Sequence, residues 1–327
     1  MGLLRWKYLQ LLNQNQKVNV VIAKNNGGQL ANQLWQFAVV AAFCKERGYQ
    51  LYNPAFFHYA KYFERFHDDL LISPTSPLKT FLPQIQEIQR CTHRTLLKLL
   101  ETQFPHHRHA PTAEAPLLLS SMCLDKGNHF LFDWYFENRS GIEKHRDYLL
   151  PLLKPKKTYE KKIEKFWKQI DGSRLVVGVH VRHKDFRTWN AGRYFFSVEE
   201  IKQHMKKVQS RYCNLNPLFI IYSDEKRSCD EFPEFNTRVS EGNLVEDLYS
   251  MARCHLIMGT GISTFNGWAA WYGNIPRYKF EETPDWNFLD QSIKNPDFVF
   301  QEENMPPCFI LKQSDSSDCL DISKKCE

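Results

Sequence analysis

The clearest fold signal in this chain is LVVGVHVRHKDF, residues 175–186. Residues 175–181 form an apolar run rich in valine, which predicts a strand buried within a sheet. His180, Arg182 and Asp185 lie at its carboxyl end, the edge at which open α/β sheets bind their ligands. Arg182 suits a pyrophosphate because its planar guanidinium forms paired, charge-assisted hydrogen bonds with phosphate oxygens. The alternative for an isolated arginine is a surface ion pair.

Strand and helix patterns alternate through the rest of the second half. A capping box at Ser197 and Glu200 begins a helix with an apolar stripe, and a strand follows at 218–222. Asn243 and Glu246 begin another helix, which leads into a strand at 255–258 and a helix at 263–272. This alternation predicts a doubly wound parallel sheet.

The first half opens with the same kind of unit. A strand at 18–23 ends at Asn-Asn-Gly-Gly, a helix runs from Leu30 to Cys44, and a strand follows at 49–52. The weaker pattern of 53–130 predicts irregular helices and loops, and a helix is expected at 141–153. The charged stretch at 155–172 predicts an interdomain connection. We therefore expect two domains, at 1–155 and 156–327, the second ending in a polar tail.

Two further segments place polar side chains at strand-to-helix turns. In ISTFNGWAAW, residues 262–271, the hydroxyls of Ser263 and Thr264 would meet phosphate oxygens at a helix start. Plain N-capping by Ser263 is equally open. In GGQLANQLWQFA, residues 27–38, Asn32 and Gln33 interrupt an apolar helix. They are candidates for lining a ligand cleft, because buried amides cost free energy unless they are bonded.

Carboxylates and tryptophans supply the remaining expectations. In FIIYSDE, residues 219–225, Asp224 is a candidate for holding a nucleotide ribose or base, and capping of the loop is the alternative. Asp247, on a predicted helix, is a similar candidate. Trp268 and Trp271 are expected in the core. The histidine stretch at 106–109 lacks metal-ligand spacing, and no Asp-x-Asp element is present to hold a cation on a pyrophosphate, so we expect no metal.

The composition is that of an ordered protein. With 43% hydrophobic and 24% charged residues, the chain is not largely disordered. Its net charge of +6 suits a phosphate-bearing ligand, and no nucleic-acid-binding motif accompanies that charge, so we expect no nucleic-acid partner. We also expect no membrane anchor and no signal peptide. The nine cysteines are unpatterned, which predicts a reducing, cytoplasmic setting.

These segments, in this order, resemble those of the bacterial α-1,2-fucosyltransferases of glycosyltransferase family eleven, within the fucosyltransferase superfamily. GGQLANQLWQFA is similar to the family's glycine-rich segment, HVRHKDF to its HxRRxD-type segment and IIYSDE to its strand ending in SDD. The stretch 245–271 is similar to its closing acidic helix, strand and SxF-containing helix. The likeness covers much of residues 18–280. It implies a GT-B fold, with two facing Rossmann-like domains and the donor nucleotide mainly in the C-terminal one.

The resemblance also implies an activity and its residues. The activity is an inverting, metal-independent transfer of fucose from GDP-fucose to a glycan hydroxyl, galactose O2, in the synthesis of bacterial surface polysaccharide or oligosaccharide. Arg182 would stabilise the leaving GDP with help from Lys184, and Asp185 is the candidate general base. The positions expected to bind the donor are His180, Arg182, His183, Lys184, Asp224, Ser263, Thr264, Phe265, Asn32 and Gln33.

Departures from the family pattern leave alternatives open. His183 stands where the family has a second arginine, although Lys184 or a protonated His183 would partly replace that charge. The alternatives are a related enzyme with another donor or linkage, and a non-catalytic protein that binds a nucleotide sugar or a glycan. The expected partners are a GDP-sugar and a glycan acceptor. Peripheral contact with the cytoplasmic face of the inner membrane is open.

Overall fold

Apolar runs and helices alternate in this chain and build one main parallel sheet in each half. The computed structural model describes residues 18–24, 29–64, 108–109, 117–132, 136–172, 174–295 and 298. Among the described residues, one compact unit runs to Lys156 and a second begins at Lys157.

The first unit opens with strand β1 (Val18–Lys24), helix α1 (Leu30–Arg47) and strand β2 (Gln50–Tyr52). Most of α1 is buried, and the helix ends where Gly48 adopts a φ of 68°, a left-handed conformation that glycine accepts without strain. Because β1 and β2 pair in parallel, the predicted strand-helix-strand opening is present.

Shorter elements complete the first unit. They are α2 (Phe57–Ala60), β3 (Arg108–His109), β4 (Leu117–Leu118), β5 (Gly127–Phe132) and β6 (Phe136–Glu137). The main sheet has the order β2-β1-β5-β3, and β4 pairs with β6. The helix predicted at 141–153 is two helices, α3 (Arg139–Lys144) and α4 (Arg146–Leu152), broken at His145. Residues 65–107, within the region predicted to be irregular, lie outside the described residues.

The stretch 155–172 was predicted as an interdomain connection, but it carries helix α5 (Lys157–Trp167) of the second unit. Its Ile163 is buried, and Trp167 Nε1 donates a hydrogen bond to Ser250 Oγ at 3.0 Å. The boundary between the two units thus lies within the predicted stretch, and most of the stretch is a helix whose lysines lie on the solvent side, while a few apolar residues hold the opposite face.

The second unit continues with β7 (Val176–Val181), α6 (Val198–Arg211), β8 (Leu218–Ser223), β9 (Thr237–Val239) and α7 (Leu244–Met251). It then contains β10 (Leu256–Gly259), α8 (Thr264–Gly273), β11 (Arg277–Lys279) and α9 (Trp286–Lys294). All five strands are parallel, in the order β11-β10-β7-β8-β9.

This strand order creates a switch point. From β7 the chain builds outward through β8 and β9, and then returns to the other side of β7 to add β10 and β11. Loops that follow β7 and β10 therefore leave the sheet side by side and turn in opposite directions. In doubly wound sheets the crevice at this point is where ligands bind.

The sequence patterns of the second unit correspond to real contacts. Both predicted capping boxes form, at Ser197 with Glu200 and at Asn243 with Glu246. Trp268 and Trp271 are fully buried, as expected for core residues. No helix in the described part of the chain is long and apolar enough to cross a membrane.

Candidate functional site

The switch point brings His180 of β7 next to the start of α8. His180 pairs in register with Gly259 of β10, and its imidazole stacks on the ring of Phe265 with centroids 5.1 Å apart. Ser263 Oγ lies 3.4 Å from His180 Nδ1. Residues predicted from two separate segments, His180 from one and Ser263 and Phe265 from the other, therefore meet at one place.

His180 is neutral at this place. Burial lowers the pKa of His180 to about 3, and the nearby charges of Arg182 and Arg277 act in the same direction. A neutral imidazole can donate or accept a hydrogen bond, but it adds no positive charge to the site.

Arg182 is held in a fixed orientation directly after β7. Its Nε donates to Asp185 Oδ1 at 2.9 Å and its Nη2 to Asp185 Oδ2 at 2.6 Å. The guanidinium carbon also lies 4.8 Å from the centroid of the Phe186 ring. With 21% of its side chain exposed, Arg182 stays accessible to a ligand. Hydrogen bonds from Arg182 hold the pKa of Asp185 below its usual value, so Asp185 is ionised and a weak base.

Asp224 caps the loop that carries Arg182. Its Oδ1 accepts a hydrogen bond from the backbone amide of His183 at 3.0 Å, and its Oδ2 accepts one from the amide of Lys184 at 3.2 Å. The loop-capping alternative is thus what the structure shows for this carboxylate, and its role as a ligand to ribose or base stays a prediction. The Lys184 side chain is exposed above the same loop.

His183 is buried rather than presented to a ligand. Its Nε2 donates to the Phe196 carbonyl oxygen, 2.8 Å away, so its Nδ1 accepts a hydrogen bond from Arg227 Nη2. Burial is the main cause that lowers the pKa of His183, with Arg227 and Arg187 adding to it. A protonated His183 therefore does not replace the charge of a second arginine, contrary to that expectation.

Arg227, which the sequence patterns did not indicate, joins the loops after β7 and β8. Only 9% of its side chain is exposed, and besides His183 it contacts Glu225 and Glu231, each at 3.0 Å. Glu225 in turn pairs with Arg187 of the β7 loop. Arg227 stands in a charged run, DEKRS, that has no periodicity, so only the fold reveals that it is buried.

Arg277, at the start of β11, was missed as well. It is 5% exposed, and its Nη2 donates to the Gly261 carbonyl oxygen at 2.9 Å and to Asn266 Oδ1 at 2.6 Å. Asn266 Nδ2 donates to the carbonyl oxygen of Thr260 at 3.0 Å. Together, Arg277 and Asn266 fix the turn between β10 and α8. The sequence signal for this network was Asn266, an asparagine in the otherwise apolar helix α8.

The beginning of α8 faces the same turn. Ser263 stands at the N-cap position, but its hydroxyl makes no capping hydrogen bond, so the plain capping alternative is wrong. Instead its side chain is buried next to His180. The partial positive charge of this helix start, from which Thr264 begins α8, favours an anion near the Arg182 loop.

Asp247, on α7, is a half-buried carboxyl group next to Ser240, the residue that follows β9. Burial raises the pKa of Asp247 to about 7, although a hydrogen bond from Ser240 Oγ opposes the shift. Near neutral pH this group can either donate or accept a hydrogen bond, which suits recognition of a polar ligand.

Asn32 and Gln33 lie in the first unit, in the first turn of α1. Their side-chain oxygens, Asn32 Oδ1 and Gln33 Oε1, are buried and accept no hydrogen bond from the described residues. Leaving such an oxygen unpaired costs about 1–3 kcal/mol, and a cost of this size calls for an explanation. Their predicted role in lining a ligand cleft is consistent with this observation and stays a prediction.

No group of three or more histidine, cysteine, aspartate or glutamate residues within the described ranges is placed to hold a metal ion. In the first unit, His109 Nε2 and His129 Nδ1 lie 3.1 Å apart, and His129 Nε2 donates to the carbonyl oxygen of Asp125. These two histidines are bonded to one another rather than arranged around a common point.

Comparison with known proteins gives a structural match. No protein-family model and no curated protein sequence matches the chain. The fucosyltransferase NodZ from Bradyrhizobium is similar with a TM-score of 0.50 and 14% identity, covering 81% of this chain and 96% of that one. A mutant of Arabidopsis thaliana FUT1 in complex with GDP has a TM-score of 0.49 and 13% identity, over 86% and 76%. POFUT1 in complex with GDP has a TM-score of 0.46 and 13% identity, over 82% and 99%.

The likeness to NodZ confirms the predicted fold class, an α/β fold of the GT-B type with parallel sheets. At 14% identity this likeness is evidence for the fold alone, so an activity has to be argued from the residues of the site.

Proposed function

We propose that this protein is a glycosyltransferase that moves fucose from GDP-fucose to a hydroxyl group of a glycan acceptor. One observation carries the proposal: Arg182, oriented by Asp185, stands at the β7–β10 switch point near the start of α8. An oriented guanidinium and a helix start are together suited to a diphosphate. The fold likeness to NodZ, named as a fucosyltransferase, supports the choice of donor.

The donor site is assigned to the second unit. Arg182, Lys184 and the α8 start with Ser263 and Thr264 contact the diphosphate, and His180 and Phe265 form the buried wall beside it. Of the two carboxylates considered for the ribose or base, Asp247 is the better candidate because both oxygens of Asp224 already bind backbone amides. Asn32 and Gln33 of the first unit remain proposed ligand contacts, because their side-chain oxygens are buried without a partner among the described residues.

The proposed mechanism is a single inverting displacement without a metal. The acceptor hydroxyl, galactose O2, attacks the anomeric carbon while positive groups already in place stabilise the leaving GDP. Asp185 orients Arg182 in this scheme, and its alternative role is that of general base. We propose that the reaction takes place in the cytoplasm, in the synthesis of bacterial surface polysaccharide or oligosaccharide. We also propose peripheral contact with the inner membrane through lysines such as those of KPKK at 154–157.

Product formation with a donor panel tests the proposal. Purified protein is incubated with EDTA, galactose-terminated acceptors and GDP-fucose, beside GDP-mannose, UDP-galactose and UDP-glucose. Fucose transfer that survives EDTA is the expected result. Transfer from another donor only would retain the enzyme class and overturn the donor.

A non-catalytic binding protein is the second candidate. The observation that favours it is the neutral, buried His183 at the position of the family's second arginine. GDP binding in calorimetry, without transfer or hydrolysis of any donor, would favour this candidate over the enzyme.

A further inference from the structure

A cluster of aromatic rings follows Arg182 in the segment between β7 and α6. Phe186 is buried, and its ring stacks on that of Trp189 with centroids 5.4 Å apart. Trp189 in turn contacts Tyr194, also at 5.4 Å. Unlike Phe186, both Trp189 and Tyr194 are only half-buried, and we call these two the aromatic shelf.

The aromatic shelf stands beside the proposed phosphate site. The guanidinium carbon of Arg182 lies 4.8 Å from the centroid of the Phe186 ring, and that centroid lies 5.4 Å from the centroid of the Trp189 ring. The Trp189 ring is therefore no farther from the guanidinium than the sum of these two distances. On the other side, Thr260 Oγ1 donates to the carbonyl oxygen of Tyr194 at 3.5 Å. The shelf is thereby connected to both loops of the switch point.

The backbone between the two shelf residues adopts an unfavourable conformation. Asn190, Ala191 and Gly192 have φ values of 48°, 53° and 77° in succession. A left-handed conformation is costly for alanine, which has no side chain able to compensate it by a local hydrogen bond. Asn190 and Ala191 are exposed, so burial of their side chains does not explain the cost. Strain of this kind is typical of segments that hold a ligand.

We propose that the aromatic shelf, Trp189 and Tyr194, is the binding face for a hexopyranose ring next to the diphosphate. One face of such a ring carries several C–H groups, which an aromatic ring removes from water, while tyrosine and tryptophan keep a polar group for a hydroxyl. The inference rests on the proposed function. The ring belongs to the donor sugar or to the acceptor, and the experiment distinguishes these sources.

The test compares Trp189→Ala and Tyr194→Ala with the protein without substitutions, called the parent below. Trp286→Ala is the matched control, since Trp286 is also half-buried and contacts Tyr212 and Tyr278. The dissociation constants of GDP and GDP-fucose are measured by calorimetry, and the KM for lactose by product formation. A donor contact predicts unchanged GDP affinity and about fivefold or more weaker GDP-fucose binding. An acceptor contact predicts a similar rise in KM for lactose, with both nucleotide affinities unchanged.

Two results would overturn the inference. One is that no sugar-dependent quantity changes. The other is that GDP and GDP-fucose weaken equally, which would make the rings a support for Arg182 only. Should an alanine variant fail to fold, Trp189→Phe and Trp189→Leu replace it, and only phenylalanine is expected to retain sugar binding.

Failure of the proposed function is separately visible. If the parent transfers no fucose, saturation-transfer NMR with methyl α-L-fucoside and lactose still reports contact of a sugar with the protein. Loss of that signal in Trp189→Ala, but not in Trp286→Ala, supports the shelf. An equal signal in both variants, or none in the parent, overturns it.

Discussion

The imidazole of His180 stacks on the ring of Phe265, with centroids 5.1 Å apart. This contact joins the carboxyl end of the central strand β7 to the first turn of α8, and it removes His180 from water. The neutral state of His180 is a consequence of that packing, and it has a measurable effect on stability.

We expect His180 to make the protein less stable in mild acid. The folded-state pKa is lowered to about 3, below the unfolded value near 6.5, so its contribution is fully present above about pH 6.5 and is lost as pH falls towards 3. From pH 7.5 to pH 5, the parent should lose about 1–2 kcal/mol more unfolding free energy than His180→Asn. Urea unfolding at the two pH values measures the difference. Equal losses in both proteins would contradict the assignment.

Asp247 should have the opposite effect on how the unfolding free energy depends on pH. Its folded-state pKa is raised to about 7, so its stabilising effect is fully present below the unfolded value near 4 and is lost as pH rises through 7. We expect Asp247→Asn, which keeps an acceptor for Ser240, to gain a few kcal/mol over the parent between pH 4 and pH 8. Urea unfolding along a pH series checks this. A constant difference between the two proteins would show that Asp247 ionises normally.

Removal of the Arg182 side chain should strongly weaken binding of the diphosphate without unfolding the protein. Its guanidinium is partly exposed, and in Arg182→Ala we expect the dissociation constant of GDP to rise by about 30-fold or more, which corresponds to about 2 kcal/mol. Calorimetry with GDP measures this, and circular dichroism checks the fold. Arg238→Ala, on the edge strand β9, is the control and should bind GDP normally. Near-parental turnover in Arg182→Ala would refute the assignment.

The exchange Asp185→Asn separates the two roles considered for this carboxylate. Because its pKa is held low by Arg182, we expect kcat to fall by less than about tenfold, together with a small change in GDP affinity. This pattern is that of a residue that orients Arg182. A fall in kcat of about 100-fold or more at unchanged GDP affinity would instead identify Asp185 as the general base.

We expect Arg277 to support stability and GDP binding through the geometry of its hydrogen bonds. In Arg277→Met the carbonyl oxygen of Gly261 and the side chain of Asn266 lose a donor, so we expect about 2–4 kcal/mol lower stability and weaker GDP binding. Arg277→Lys retains a charge but not the planar fork. Urea unfolding and GDP calorimetry on both variants compare the two effects. If lysine restored both quantities fully, charge alone would be the role of Arg277.

Local patterns were enough to predict the main elements of the second unit. The apolar run that became β7, the capping boxes at Ser197 and Asn243 and the buried tryptophans of α8 all depend on neighbouring residues in the chain. The same patterns did not reveal the edge strands β9 and β11, which have only three residues each. Such short strands exist because an adjacent strand pairs with them.

The electrostatics of the site could not be predicted in the same way. His183 and Arg227 are 44 positions apart, and the contact between them decides that the histidine is neutral. Arg277 reaches the turn after β10 from a strand that the sequence pattern did not indicate. Whether an ionisable side chain meets a ligand or another side chain depends on which strands become neighbours, and that is a property of the whole sheet.

The position of β10 beside β7 also affects how the protein is made. Ser263 and His180, which meet at the site, are 83 positions apart in the chain. A nascent chain on the ribosome therefore carries β7 with one open edge until β10 has emerged from the exit tunnel. Since every residue of β7 is buried in the finished protein, that open edge is an apolar strand edge that can pair with other chains during synthesis.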